Sequence, residues 1–252
     1  MKRVIIVGAG GYIGESLAAY AKNNHNVDVV DSFEGWKTAN FGNYDGVLFA
    51  AGIVHRKQTS ENKHLYYAVN RDLAIDVAKK AKLANVCQFI YLSSMSVYGK
   101  KQGEITQHTI PASSHNDYYG HSKFEAETAL IKLNDENFKI AIIRPPMVYG
   151  ENCPGKYAQL VKLSKFMPMV PDTKNKRSMI YIDNLSAFLC TIIERGSSGI
   201  FCPDNPQYTN TAELVKSIRQ ASGQKTMTSL FMGALVKVVM NFCPPLKNAF
   251  GS

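Results

Sequence analysis

Arg3-Val-Ile-Ile-Val7, Gly8-Ala-Gly-Gly-Tyr-Ile-Gly14 and Glu15-Ser-Leu-Ala-Ala-Tyr-Ala-Lys22 follow one another without a break near the start of the chain. The first is a continuous apolar run rich in β-branched residues, the pattern of a strand buried on both faces of a parallel sheet. The third has helical periodicity. Between them glycines recur at Gly8, Gly11 and Gly14, a GxxGxxG spacing. Glycine allows a tight turn and close backbone approach, and a helix opening behind it offers unpaired amides and a positive dipole end to an anion. Strand, glycine turn and helix in this order hold the pyrophosphate of a dinucleotide, with Gly8, Gly11, Tyr12, Ile13 and Gly14 as expected contacts. The fold implied is α/β: a Rossmann-type, doubly wound parallel sheet.

Val27-Asp-Val-Val-Asp31 reads as the second strand. Asp31, twenty-three residues after Gly8, is placed to accept hydrogen bonds from the adenosine ribose hydroxyls. A carboxylate there repels a 2′-phosphate, and Ser32, Phe33 and Glu34 bring no arginine, so NAD is expected rather than NADP. The alternative is an aspartate that merely closes a turn. Residues 33–45 are polar and leave little room for a full βα unit. Val47-Leu-Phe-Ala-Ala-Gly52 is a further buried strand whose end, Ala50, Ala51 and Gly52, is expected to face the cofactor. A helix over 62–84 carries Leu65, Val69, Leu73 and Val77 on one stripe, with Asn70 an unexpected polar residue in its middle. Gln88-Phe-Ile-Tyr-Leu-Ser93 is the next strand and delivers Ser94 to its carboxyl end, where open parallel sheets bind ligands.

Tyr119-Gly-His-Ser-Lys123 lies on a helix that Asn116 or Asp117 is suited to cap. Four residues apart, Tyr119 and Lys123 share a face and reach one ligand. A phenol titrates near pH 10, and an ammonium a few ångströms away favours its phenolate. The bland alternative is a half-buried tyrosine beside a solvated lysine. Lys139-Ile-Ala-Ile-Ile-Arg144 is a buried strand halted by Pro145-Pro146. Beyond it the elements shorten: a helix over 157–166, strand Met179-Ile-Tyr-Ile182, a helix over 185–194, strand Ile200-Phe-Cys202 and a helix over 211–222. We expect a cofactor-binding core over 1–150 and a small substrate-binding lobe over 151–252, interleaved with it. Residues 227–242 are apolar with Lys237 the one charge, and are expected to pack on their own domain or on a partner subunit, a membrane surface being the alternative. The chain stops soon afterwards at Gly251-Ser252, which leaves a truncated C-terminus as an expectation.

With 252 residues, 45% of them hydrophobic, the chain can bury one large α/β core with an appended lobe. A net charge of +9 favours anionic partners. There is no long Lys/Arg run and no basic strip interleaved with aromatics, which argues against nucleic acid and leaves phosphorylated substrates or an acidic membrane face. Cys87, Cys153, Cys190, Cys202 and Cys243 are odd in number, widely spaced and without a CxxC pair, so neither a disulfide framework nor a metal site is expected, and a reducing cytoplasm fits. Lys2-Arg3 and the apolar run after it mimic a leader, but glycines interrupt it. No stretch reaches the roughly 18 to 20 apolar residues of a membrane span.

The motifs together resemble the extended short-chain dehydrogenase/reductases, specifically the nucleotide-sugar branch of NAD-dependent epimerases and dehydratases. The residues that carry the resemblance are Gly8-Ala-Gly-Gly-Tyr-Ile-Gly14, Leu92-Ser-Ser-Met-Ser-Val-Tyr-Gly99, Tyr119-xxx-Lys123, Arg144-Pro-Pro-Met-Val-Tyr-Gly150 and Arg177-Ser-Met-Ile-Tyr-Ile-Asp183-Asn-Leu185. The resemblance implies Tyr119 as acid/base, Lys123 as the group that tunes it and holds the nicotinamide ribose, and Ser94 as the hydroxyl between Tyr119 and the sugar. It implies cofactor contacts from Asn70 and Pro145, and substrate contacts from Ser94, Ser96 and Arg177, with Arg177 clamping a diphosphate. Without it, Arg177 reads as a surface arginine beside Lys174 and Lys176. The dehydratases carry an Asp-Glu pair right after the Ser position; Met95-Ser96 stand here, so dehydration is not expected. A 4-epimerase acting on a UDP-sugar is the implied activity, with a 4-keto reductase as the alternative. A non-catalytic NAD-binding regulator is the alternative of another kind, although such proteins lose the Ser or the Tyr. A homodimer through the helices at 62–84 and 119–133, and a role in polysaccharide synthesis, are implied as well.

Overall fold

The computed structural model describes residues 1–54, 58–99, 103–106, 108–112 and 117–239. In chain order the elements are β1 (Arg3–Val7), α1 (Tyr12–Ala21), β2 (Asn26–Val30), α2 (Gly35–Thr38), β3 (Gly46–Phe49), α3 (Lys63–Tyr67), a π-helical turn (Ala68–Leu73), α4 (Ala74–Leu83), β4 (Gln88–Leu92) and a 3-10 turn (Met95–Tyr98). There follow α5 (Tyr118–Ile131), β5 (Lys139–Ile143), β6 (Met147–Tyr149), α6 (Lys156–Ser164), β7 (Met169–Pro171), β8 (Met179–Tyr181) and α7 (Ile182–Arg195). The last are β9 (Gly199–Phe201), α8 (Thr211–Ala221), β10 (Met227–Ser229) and α9 (Leu230–Val239). Two compact units result, one of Met1–Gly99, Thr109–Pro146 and Ile180–Pro203, the other of Lys100–His108, Met147–Met179 and Asp204–Ser252. The expectation was a core over 1–150 with a lobe over 151–252 interleaved with it; in the structure α7 and β9, both beyond residue 150, belong to the first unit.

The first unit is a six-stranded sheet in the order β2-β1-β3-β4-β5-β9, with every pair parallel. This is the doubly wound arrangement read from the strand–glycine–helix pattern. Strand order reverses at β1, so a crevice opens beyond the carboxyl ends of β1 and β3, directly at the glycine turn. Successive residues of β1 and β3 to β5 feed alternate faces. Ile5, Val7, Val47, Phe49, Phe89 and Tyr91 pack with Ala74, Val77 and Ala81 of α4 and Ala126 and Leu130 of α5. α1 and α7 pack beside one another. The short segment between β2 and β3 holds only α2 and a 3-10 turn at Phe41–Asn43. Lys80 of α4 secures it, donating to the carbonyl oxygens of Trp36, Lys37 and Ala39 at 2.8, 2.6 and 2.9 Å.

The helix expected over 62–84 is present, with Val77 buried as expected and the rest of its stripe moved by one residue. Leu65, Val69 and Leu73 are half-buried, while Tyr66, Asn70, Ala74, Val77 and Ala81 face inward. The π turn adds a residue there, and the phase it sets carries Asn70 into the core.

The second unit pairs β7 with β10 in parallel, Met169 opposite Met227. Val170, Ala212 and Val215 form its core, with Leu160, Met167 and Val236 against them. Asn210 opens α8 with a reciprocal capping box to Glu213. Among the described residues, no helix is long and apolar enough to cross a membrane, and no group of His, Cys, Asp and Glu is arranged to hold a metal.

Candidate active site

Behind β1 the chain turns through Gly8 (φ +132°) and Gly10 (φ +77°), and α1 begins after Gly11. A Cβ on Gly8 would stand 2.6 Å from the backbone nitrogen of Ala51, so the loops after β1 and β3 meet only because that position is glycine. A Cβ on Gly10 would meet nothing within 4 Å; the turn is open on that side, and its left-handed conformation is what selects glycine. α1 starts at Tyr12, three residues before the helical pattern suggested, with Tyr12 and Ile13 in its first turn and no side chain capping Gly11. Gly14 seats the helix against the sheet, since a Cβ there would lie 3.2 Å from the Ile6 side chain and 3.4 Å from that of Ala50.

Asp31 stands just past the end of β2 and does close a turn. Its carboxylate accepts from the amides of Phe33 (2.7 Å), Glu34 (2.9 Å) and Gly35 (3.1 Å), and these bonds hold its pKa below the ordinary value. A carboxylate offers about four acceptor positions, so one is left for a ribose hydroxyl and the two readings of Asp31 are compatible. The open glycine turn, the helix N-terminus without a side-chain cap and the acid beyond β2 fit a dinucleotide.

Asn70 and Gly52 tie this crevice to the next strand. The Asn70 side chain accepts from the amide of Ile53 at 2.8 Å and donates to its carbonyl at 3.2 Å and to Ser122 Oγ at 3.1 Å. Asn70 therefore fixes the loop after β3 through the backbone, a positioning role. A Cβ on Gly52 would lie 3.1 Å from Asn70 Oδ1 and 3.4 Å from Lys123 Nζ, so three of the expected residues converge. Ser122, which also donates to the carbonyl of Tyr119 at 2.9 Å, was not singled out in the sequence; as a serine inside a helix it carried no signal.

Ser94 opens the 3-10 turn after β4. Its hydroxyl accepts from the amide of Ser96 at 3.1 Å and donates to Ser96 Oγ at 3.2 Å, and it favours the ionised form of the Tyr119 phenol. Lys123, only 3% exposed, donates to the carbonyl of Leu92 at 2.8 Å and lies 4.6 Å above the Tyr91 ring. Pro145 accepts from the amide of Met95 at 3.2 Å, joining the ends of β4 and β5. Asp117 caps α5 by accepting from the amide of Tyr119 at 3.1 Å; Asn116, the other candidate cap, lies outside the described residues. Ser94, Tyr119, Lys123, Asn70 and Pro145 all belong to the first unit. Arg177 belongs to the second, where an antiparallel bridge to Thr209 holds its backbone and burial lowers its pKa.

The model of the NAD dependent epimerase/dehydratase family matches residues 4–201. The chain belongs to that family. It is thereby an NAD-dependent epimerase or oxidoreductase of the extended short-chain type. Among similar proteins are a UDP-glucose 4-epimerase of Vibrio cholerae, 27% identical over 89% of this chain and 77% of that protein, and an N-acetyl-alpha-D-glucosaminyl-diphospho-ditrans,octacis-undecaprenol 4-epimerase of Escherichia coli O157:H7, 27% identical over 88% and 73%. The same fold occurs in the crystal structure of a Thermus thermophilus UDP-glucose 4-epimerase with NAD, at a TM-score of 0.74 and 18% identity over 90% of this chain and 85% of that one.

The electrostatics differ from the simple picture of an ammonium lowering a phenol. Desolvation pushes the Tyr119 phenol up to about 12; the Ser94 hydroxyl works against this and the Asp117 carboxylate adds to it. The residue as a whole is half-buried. Desolvation likewise brings Lys123 down to about 7, with Glu127 opposing the fall. Burial penalises the ionised form of both groups, and no lowering of Tyr119 by Lys123 is resolved. The sign of the consequence for stability is fixed. Between about pH 7 and the ordinary lysine value near 10.4, the unfolded chain binds a proton that folded Lys123 does not, so its contribution rises with pH across that window. In the cofactor-free protein, Lys123→Met is expected to change the urea midpoint most favourably at pH 7 and progressively less so toward pH 10. A difference that stays flat over that range would show that Lys123 titrates normally.

Behind the site lies a buried ion pair that the sequence did not announce. Glu127, one further helical turn along the Tyr119–Lys123 face, receives Arg144 through Nη2–Oε2 at 2.5 Å and Nε–Oε1 at 3.0 Å, and also the Ser93 hydroxyl. Arg144 Nη1 donates to the Tyr98 hydroxyl at 2.8 Å. Each member neighbours a site residue: Ser93 precedes Ser94, Arg144 precedes Pro145, and Glu127 shares a helix face with Lys123. Gly120 is a second omission. A Cβ there would stand 2.5 Å from the carbonyl oxygen of Ser96, so α5 approaches the Ser94 turn only with glycine. Gly120→Ala is expected to cut kcat about 10- to 100-fold by displacing that turn, while NAD affinity stays within a few-fold; an unchanged kcat would show that the contact does not position Ser94.

Proposed function

We propose that the chain is a 4-epimerase of a UDP-sugar, oxidising C4 transiently and returning hydrogen to the opposite face. The observation that carries this reading is the convergence of Ser94, at the carboxyl end of β4, with the helix face of Tyr119 and Lys123: Lys123 donates to the carbonyl of Leu92, and Gly120 packs on the carbonyl of Ser96. Tyr119 takes the proton of the sugar 4-hydroxyl through Ser94 and returns it to the same oxygen after the ring has turned over. Bound NAD supplies the acceptor and donor of hydride at C4. Asn70, Gly52 and Ile53 shape the loop beside the nicotinamide, Gly8 to Gly14 and Asp31 take the pyrophosphate and ribose, Ser96 adds a hydroxyl to the sugar pocket, and Arg177 offers the forked cation suited to a diphosphate. Met95 and Ser96 place no carboxylic acid after Ser94, which argues against dehydration. The likeness to two 4-epimerases supports the same reading.

A 4-keto reductase would use the same residues, and the protonated state of Tyr119 at neutral pH favours it, since reduction starts with proton donation. The two part in a proton NMR time course with UDP-glucose and UDP-N-acetylglucosamine and only catalytic NAD. The galacto epimer, formed without net NADH, is the expected product. Consumption of a 4-keto sugar with stoichiometric NADH, and no epimer, would replace this reading by the reductase. We also infer a homodimer through the helical surfaces around α4 and α5; light scattering that gives only the monomer mass would count against it.

A further inference from the structure

α9 has an inverted surface. Its inward residues Met232, Gly233 and Val236 pack on its own unit, Gly233 directly on the backbone of Asp172 and Val236 against the Val170 core. Among its residues whose side chains are described, the exposed ones are Leu230, Phe231, Ala234, Leu235 and Val238, all apolar, with Phe231 82% exposed. A helix lying on a globular unit ordinarily turns charged residues outward. Because Gly233 meets Asp172 and Val236 meets Val170, α9 runs back along β7, toward the end where Met169 pairs with Met227. Leu163, Phe166, Met169 and Met227 of the same unit are exposed as well.

Exposed lysines border this apolar strip. Lys162 and Lys165 flank Leu163 and Phe166, and Lys225 lies two residues before Met227. Buried Arg219 draws these loops together, donating to the carbonyls of Ser164 (2.7 Å), Lys165 (2.8 Å) and Lys225 (3.1 Å). The charge of the whole chain is concentrated in this unit. Its segments hold 13 of the 29 Lys and Arg but 5 of the 20 Asp and Glu, a net of +8, against +1 for the other unit. Two signals thus coincide: apolar side chains that reach into an acyl boundary, and cations that meet acidic headgroups.

We propose that the α9 face of the second unit docks on an anionic lipid bilayer, with Phe231, Leu235 and Val238 entering the interface and Lys162, Lys165 and Lys225 meeting the headgroups. The docking does not depend on which reaction the first unit performs. The test is sedimentation of the full chain with vesicles of phosphatidylglycerol or of phosphatidylcholine. Binding to phosphatidylglycerol at least about 10-fold tighter than to phosphatidylcholine, and weakened by salt, is expected. Phe231→Ser/Leu235→Ser should abolish it, and Lys162→Glu/Lys165→Glu/Lys225→Glu should remove the preference for the anionic lipid, both with turnover retained. No sedimentation with either vesicle, equal binding to both, or unchanged binding by both variants would overturn the proposal. So would light scattering showing a dimer that Phe231→Ser/Leu235→Ser dissolves while vesicles remain unbound, which would make a second copy the occupant.

Discussion

Tyr119→Phe is expected to lower turnover by more than about 100-fold while NAD binding stays within a few-fold of the parent. The variant removes one oxygen from a site whose cofactor contacts lie elsewhere, at the glycine turn, Asp31 and the loop held by Asn70. What it removes is the phenol whose pKa Ser94, at the carboxyl end of β4, works to lower. General acid–base groups contribute roughly 10² to 10⁴ in rate, and the lower bound applies if water reaches Ser94 in the variant. With its pKa near 12, Tyr119 is protonated at neutral pH, so proton abstraction is costly until a cation joins the site. The rate of the parent should therefore rise with pH through the neutral range, and the residual rate of Tyr119→Phe should lack that dependence. Turnover within a few-fold of the parent would remove Tyr119 from the chemistry.

The second large effect is on stability. Glu127→Gln leaves the Arg144 guanidinium buried against a neutral amide, with the Tyr98 hydroxyl and ring as its other contacts. Removing one partner of a buried ion pair costs about 3 to 5 kcal/mol, which for a chain of this size lowers Tm on the order of 10 °C. Activity should suffer too, because the same charge opposes the fall of the Lys123 pKa and the same carboxylate joins the ends of β4 and β5. The apolar double variant Glu127→Leu/Arg144→Met separates the two roles. Stability should largely return, since no buried charge is left alone, whereas kcat should remain low because Ser94 and Pro145 have lost their common brace. A single variant with Tm within about 2 °C of the parent, measured by thermal unfolding, would mean that water reaches Arg144; the threshold follows from the same scaling.

How much of this was legible beforehand depends on whether a residue's meaning is local. The strand–glycine–helix start was readable because Gly8 and Gly14 answer to backbone geometry next door, and the missing βα unit after β2 showed as a segment too short to hold one. Ser94, Tyr119 and Lys123 were readable as a spacing. Glu127 was not, because a glutamate four residues after a lysine on a helix is the commonest of surface pairs; only the fold shows that Arg144, seventeen residues on, meets it in the core. Asn70 was noticed as out of place, but the partners its side chain finds inside, Ile53 and Ser122, are distant in sequence. Gly120 was silent for the same reason, its constraint coming from the Ser96 carbonyl. The apolar tail was read as packing on its own unit, which its inner face does; the outer face of α9 needed the structure, since composition alone does not say which residues a helix turns outward.

The most direct test of C4 epimerisation is the fate of the hydrogen on that carbon. C4-deuterated UDP-glucose, incubated with the purified protein and catalytic NAD, should yield UDP-galactose that keeps its deuterium at C4, as read by NMR and mass spectrometry, with none lost to water. Epimer that carries solvent hydrogen at C4, or deuterium recovered in released NADH without epimer, would contradict a hydride that leaves and returns within one turnover at Ser94, Tyr119 and Lys123.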